Sequence, residues 1–233
     1  MKWEYLIFNM VVILGPILAI VFYPKAKIPK IKASFIAIII PAVFFIIWDL
    51  LATGWFWDFN PDYISGIKII ILPLEEILFF FTVPWACLFL WENLKSQRNF
   101  SSYAKLLPWL TLLSLIGSFI FFTRELYYTA TVLLVFSIVL TVGKILKTEI
   151  FQQASFSLFA WLIFFLTLIF NGYLTARPIV VYNNKIKTNL NILTIPIEDI
   201  LYGLTLILWV IILYENALLK KSYVKKERTR RIE

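Results

Sequence analysis

Two short motifs put acids into stretches that otherwise read as lipid-embedded: LPLEEILFF at 72–80, with Glu75 and Glu76, and IPIEDILYG at 195–203, with Glu198 and Asp199. A carboxyl at bilayer depth costs roughly 2.5–3.5 kcal/mol even on the mildest insertion scales, so paired acids there need a reason. Asp49, in WDLLAT, is a fifth acid of this kind. Such groups serve proton transfer, cation binding or a structural hydrogen-bonded clasp. Their surroundings favour proton transfer. Phe79 and Tyr202 stand one helical turn beyond Glu75 and Glu198, and Trp48, Trp55 and Trp57 crowd the loop end beside Asp49. Carbocation chemistry needs such a set: an acid gives a proton to an alkene, ring faces stabilise the cation, and a second carboxylate removes a proton. Burial and a neighbouring charge let one carboxyl stay protonated as donor while another is ionised as acceptor. Trp55 and Trp57 also fit an ordinary interfacial aromatic belt.

The two motifs belong to a longer internal repeat. At a shift of 123, Pro73 falls on Pro196, Glu75 on Glu198, Glu76 on Asp199, Thr82 on Thr205, Glu92 on Glu215 and Asn93 on Asn216. Upstream the shift is 122, pairing Asp49 with Asn171 and Thr53 with Thr175. Matching polar residues inside apolar runs mark a duplicated unit. Asn171, Thr53 and Thr175 are expected to line the substrate together with the aromatic residues. The copies also differ, with Asn171 for Asp49, Gly203 for Phe80 and Ile207 for Pro84. This predicts one reaction centre between the units, to which the first unit gives the larger share of charge.

The elements that must position these residues are membrane helices. Apolar residues make up 61% of the chain and charged ones 15%, far from the soluble-domain norm. Apolar runs predict spans at 3–23, 33–53, 67–92, 106–122, 126–146, 154–175 and 191–217. The expected fold is all-α, with seven transmembrane helices. A first three-helix repeat covers 1–94, a linker helix 95–125, a second repeat 126–218 and a basic tail 219–233. The extra linker span makes the repeats parallel.

Sixteen of the 22 lysines and arginines fall in the segments around 23–32, 94–105, 144–147 and the tail, which predicts N-out and C-in. The basic tail reads as an anchor to anionic lipid rather than a nucleic-acid contact. Helix counting at about 1.5 Å per residue puts Glu75 roughly 12 Å and Asp49 roughly 6 Å below the outer ends of their helices. Pro73 and Pro196 are then expected one turn inside, freeing the carbonyls of Ile69 and Ile192. Glu92 and Glu215, near the inner interface, read as structural. With no histidine, one cysteine and no G-x-G-x-x-G after a strand, no metal site and no cofactor are expected.

WDLLATGWFW, LPLEEILFF and IPIEDILYG on duplicated three-span units resemble the membrane-integral lycopene cyclases of the heterodimer-derived kind, in their fused form. The resemblance extends over nearly the whole chain. It implies a multi-pass enzyme of the cytoplasmic membrane in carotenoid biosynthesis. Such an enzyme closes the ends of lycopene, and of its monocyclic intermediate, to β-rings without net redox change. It also implies that Glu75, Glu76, Glu198 and Asp199 supply the acid and base, with Asp49 as a supporting acid. Membrane lipids are the expected surroundings, and a homo-oligomer is compatible with this reading. The alternative is a proton-coupled transporter, which would use the same acids in parallel repeats. A retinal protein would need a lysine within 191–217, and a prenyltransferase an aspartate-rich motif; neither is present.

Overall fold

The computed structural model describes residues 2–95 and 103–230. It is an all-α protein whose seven helices are each long and apolar enough to cross a membrane. They are α1 (Glu4–Phe22), α2 (Ile31–Ala52), α3 (Leu74–Leu94), α4 (Tyr103–Thr123), α5 (Tyr127–Ile145), α6 (Ser155–Ala176) and α7 (Ile197–Arg230). Between helices, at the end of the bundle that carries the acids, run three two-stranded ribbons. These pair β1 (Trp57–Phe59) with β4 (Val180–Tyr182), β2 (Lys68–Ile69) with β3 (Leu72–Pro73), and β5 (Asn191–Ile192) with β6 (Ile195–Pro196).

The hairpins correct the expected third and seventh spans. Residues 68–73 and 191–196 turn back on themselves through Ile70 and Leu193, with φ of 60° and 58°, instead of opening the helices. Pro73 and Pro196 close these hairpins immediately before α3 and α7 start. A proline there loses no helical hydrogen bond, so neither frees a carbonyl inside a helix, and Ile69 and Ile192 belong to the hairpin ladders. The acids therefore stand in the first turns of α3 and α7, not 12 Å down them. That position sets each carboxyl at the positive end of a helix dipole, which favours an anion by about 0.3–1 kcal/mol. Helix α7 also runs past the expected end at 217 to Arg230, through Lys, Arg and Glu residues that are good helix formers. Of the basic segments, residues 96–102 and 231–233 lie outside the described residues.

Packing follows the repeat. Helix α1 lies along α3 as α5 lies along α7, α2 packs on α7, and α4 lies along α5. The copies meet at both ends. At the acid end β1 and β4 run antiparallel with Trp57 opposite Tyr182, Asp58 opposite Val181 and Phe59 opposite Val180. At the shift of 123 these are equivalent residues exchanged about a pseudo-two-fold axis between Asp58 and Val181. The flanking bonds obey the same exchange: the Asn60 amide donates to Ile179 O and the Asn183 amide to Phe56 O, both at 2.9 Å.

At the other end, Tyr214 donates to Glu92 at 2.8 Å and Trp91 donates to Glu215 at 2.8 Å, again equivalent pairs exchanged. Lys95 Nζ sits between the two carboxylates, 2.7 Å from Glu92 and 3.1 Å from Glu215. It neutralises two acids that would otherwise repel one another across α3 and α7. Lys95→Met is therefore expected to lower the thermal midpoint in detergent by several degrees, corresponding to about 1–3 kcal/mol for a partly buried charge left unpaired. Adding Glu92→Gln to it should recover part of the loss. A double variant no more stable than Lys95→Met would show that the ion cluster does not hold the units together.

Candidate active site

A cavity of about 400 Å³ lies between α1 and α3 on one side and α6 and α7 on the other, beneath the β1–β4 ribbon. Three carboxyls reach it, all at the end beneath the ribbon: Asp49 from the last turn of α2, Glu76 from α3 and Asp199 from α7. Farther down, its walls are apolar, with Val83, Ala86, Cys87, Ile163 and Leu206 among them.

Each of these acids is held by phenols. Tyr5 donates to Glu76 at 2.5 Å, Tyr128 donates to Asp199 at 2.5 Å, and Tyr202 donates to Asp49 at 2.8 Å. Tyr182 also donates to Asp199, and the Asn171 amide approaches the same oxygen at 3.4 Å. Three donors thus converge on Asp199, the hydrogen-bonding complement of an ionised carboxylate. Asp49 and Glu76 line the same end of the cavity as neighbouring carboxyls, and adjacent buried carboxyls share a proton in preference to bearing two charges. Burial first, and then the charge of Asp199, push the ionisation of Tyr182 well above the ordinary phenol range, so it keeps its proton and remains a donor.

Glu75 and Glu198 sit one residue earlier on their helices, about 100° round the axis, and neither lines the cavity. Glu75 accepts from the Ser65 amide at 2.6 Å. Glu198 accepts from the Thr188 amide at 2.8 Å and from the hydroxyls of Thr188 and Thr129 at 2.6 Å. Ser65 and Thr188 are equivalent at the shift of 123. The two glutamates therefore fasten the loops before each helix.

Among the other residues singled out in the sequence, Trp57, Phe79, Tyr202 and Asn171 line the cavity. Trp48 stands behind them against Tyr202, with its indole N–H buried and unpaired among the described residues. Trp55 is half exposed against Phe56 and Tyr127. Thr175 donates to Asn171 O at 3.0 Å as a helix-end bond, and the buried Thr53 hydroxyl has no partner among the described residues. Sequence reasoning missed Tyr5, Tyr128 and Tyr182. The first two obey the repeat and could have been found by carrying the shift of 123 upstream to the start of α1.

At the acid end, beside the cavity, α1 and α6 are tied together. Arg177 binds Glu4 through Nε at 2.7 Å, Tyr173 donates to the same carboxylate at 2.5 Å, and Phe8 stacks on Tyr173. Below this seam the α1 wall of the cavity continues through Val11 and Gly15. Among the described residues, no cluster of histidine, cysteine, aspartate or glutamate is arranged to hold a metal.

A family model for lycopene cyclases matches residues 2–94 and 125–217, the two repeats and not the linker helix. The chain belongs to the lycopene cyclase family. No curated protein and no solved structure matches it. A lycopene cyclase works on a lipid-soluble carotenoid within the membrane, which accords with a cavity that is polar only at the acid end.

The assigned hydrogen bonds separate the two acids of each motif. Glu198→Gln should speed hydrogen exchange at the Thr188 amide about 10- to 100-fold, since a bond to a charged acceptor contributes about 1.5–3 kcal/mol. Glu76→Gln should leave that amide unchanged. Equal acceleration in both variants, read by mass spectrometry, would remove the distinction.

Proposed function

We propose that this chain closes the end groups of lycopene to β-rings by acid–base carbocation chemistry without net redox change. It does so as a multi-pass protein of the cell membrane, with its N-terminus outside and its C-terminus inside. The observation that carries this reading is the meeting of Asp49, Glu76 and Asp199 at one end of an otherwise apolar cavity. The proton shared by Asp49 and Glu76 is the one delivered. It adds to C2 of the terminal alkene and leaves a cation at C1. The C5–C6 alkene attacks C1, forming the C1–C6 bond and moving the charge to C5. Loss of the C6 proton then gives the C5–C6 double bond of a β-ring.

Asp199, under its three donors, is the acceptor, and its tyrosines, one on each oxygen, fix its orientation. Trp57, Phe79 and Tyr202 present aromatic surface to the cation, an interaction of about 0.5–2 kcal/mol per ring. Glu75 and Glu198 position the motif by holding its loops and touch no reacting atom. The apolar walls below the acids favour a hydrocarbon substrate over the polar path that a proton-coupled transporter needs.

Expression in a lycopene-accumulating bacterium, with pigments separated by chromatography, tests the activity. Appearance of β-ring carotenoids is the expected result, and unchanged lycopene would overturn it. Glu76→Gln should lower turnover 10²–10⁴-fold at normal expression, the usual loss when acid–base help is removed. Glu75→Gln should cost less. In heavy water the new ring should carry deuterium at C2; unlabelled rings from fully exchanged enzyme would exclude protonation by a carboxyl.

A further inference from the structure

The pseudo-two-fold axis that exchanges the repeats carries α1, α3, α6 and α7 onto α5, α7, α2 and α3. The cavity should therefore have a twin on the opposite side of the axis. The twin is filled. Three positions in the cavity wall carry small side chains, Gly203, Thr167 and Ala86. Their repeat equivalents, at shifts of 123 or 122, are Phe80, Phe45 and Trp209. Phe80 and Phe45 are fully buried and stack with ring centroids 6.1 Å apart, and Trp209 meets Phe45 at 6.4 Å. At Gly203 a side chain would meet nothing within 4 Å, so the space that Phe80 fills on one side is empty on the other. The backbone thus offers two related slots, of which three aromatic side chains plug one.

We infer that the chain has a single slot for an end group and cyclises one end of its carotenoid per binding event, releasing the monocyclic product into the lipid before any second ring is made. This rests on the proposed cyclase activity. The acids stand at one end of the slot only, and a conjugated polyene is too stiff to bring its far end back to them. Each event forms one C1–C6 bond, takes up one proton at C2 and gives up one at C6. The second end is reached only after the molecule has left and returned reversed.

The test uses the purified full chain in liposomes containing unlabelled lycopene and a pool of ¹³C-labelled monocyclic carotenoid. Any two-ring product should carry label in proportion to that pool, or the reaction should stop at the monocyclic compound. Two-ring product formed from lycopene without dilution by label would overturn the inference, and absence of any ring would instead overturn the cyclase reading beneath it. Bound carotenoid should reach one per wild-type chain. Gly203→Phe, which puts the plugging residue into the open slot, should reduce binding and turnover at least tenfold while the protein remains folded. Phe45→Thr with Phe80→Gly should raise the bound amount above one. Two carotenoids bound per wild-type chain, or full turnover in Gly203→Phe, would refute it.

Discussion

A carboxyl placed among apolar side chains must find hydrogen-bond donors within the protein, because the bilayer supplies none. Much of the acid-bearing end of this molecule answers that demand. Five acids gather there from α2, α3 and α7, and their donors come from helix starts, from loop amides and from a strand. The loops between the second and third helix of each repeat are folded so that Ser65 and Thr188 present their amides to Glu75 and Glu198. The starts of α1 and α5 are placed so that Tyr5 and Tyr128 reach Glu76 and Asp199. Supporting an acid and positioning it are the same bonds, so the site is rigid where its charges are.

The duplication supplies the frame, and its departures make the two halves differ. Where the copies agree, they build paired structures: exchanged strands, a tyrosine-to-acid bond repeated within each copy, and an exchanged clasp around Lys95 at the end away from the acids. Where they differ, each difference has a local effect. Asp49 in place of an asparagine gives Glu76 a carboxyl neighbour, whereas Asn171 gives Asp199 an amide donor. Glu4 binds Arg177 at the α1–α6 seam, whereas on the opposite side Tyr127, the equivalent of Glu4, meets Trp55 through their rings. One seam is ionic and the other aromatic, on a backbone that is nearly the same.

Much of this was legible in the sequence because it depends on composition and repetition. Seven apolar runs gave seven helices, and acids inside apolar stretches marked the end of the bundle where the cavity has its carboxyls. The hairpins were not legible: GIKIIILP reads as one apolar run, and nothing in it announces a turn with a β-branched residue, Ile70, at positive φ. Nor could adjacent acids be told apart, since a shift of a few residues in the helix start decides which of Glu75 and Glu76 faces inward. Tyr5 and Tyr128 were hidden because a tyrosine at a helix start also fits the interfacial belt. Tyr182 was hidden because its partner at the shift of 123 is Phe59, so the repeat gives no signal there.

The strand pair on the axis bears on which units can associate. Because β1 and β4 are equivalent segments meeting in self-complementary register, the backbone alone would accept two first units or two second units as readily as one of each. The residues on the axis break that tie. Two first units would set Asp58 directly opposite another Asp58, a like-charge cross-strand contact that disfavours pairing. In the chain as it stands, Asp58 faces Val181. A single aspartate thus acts as a password at the seam, turning away a copy of its own kind and admitting the other half.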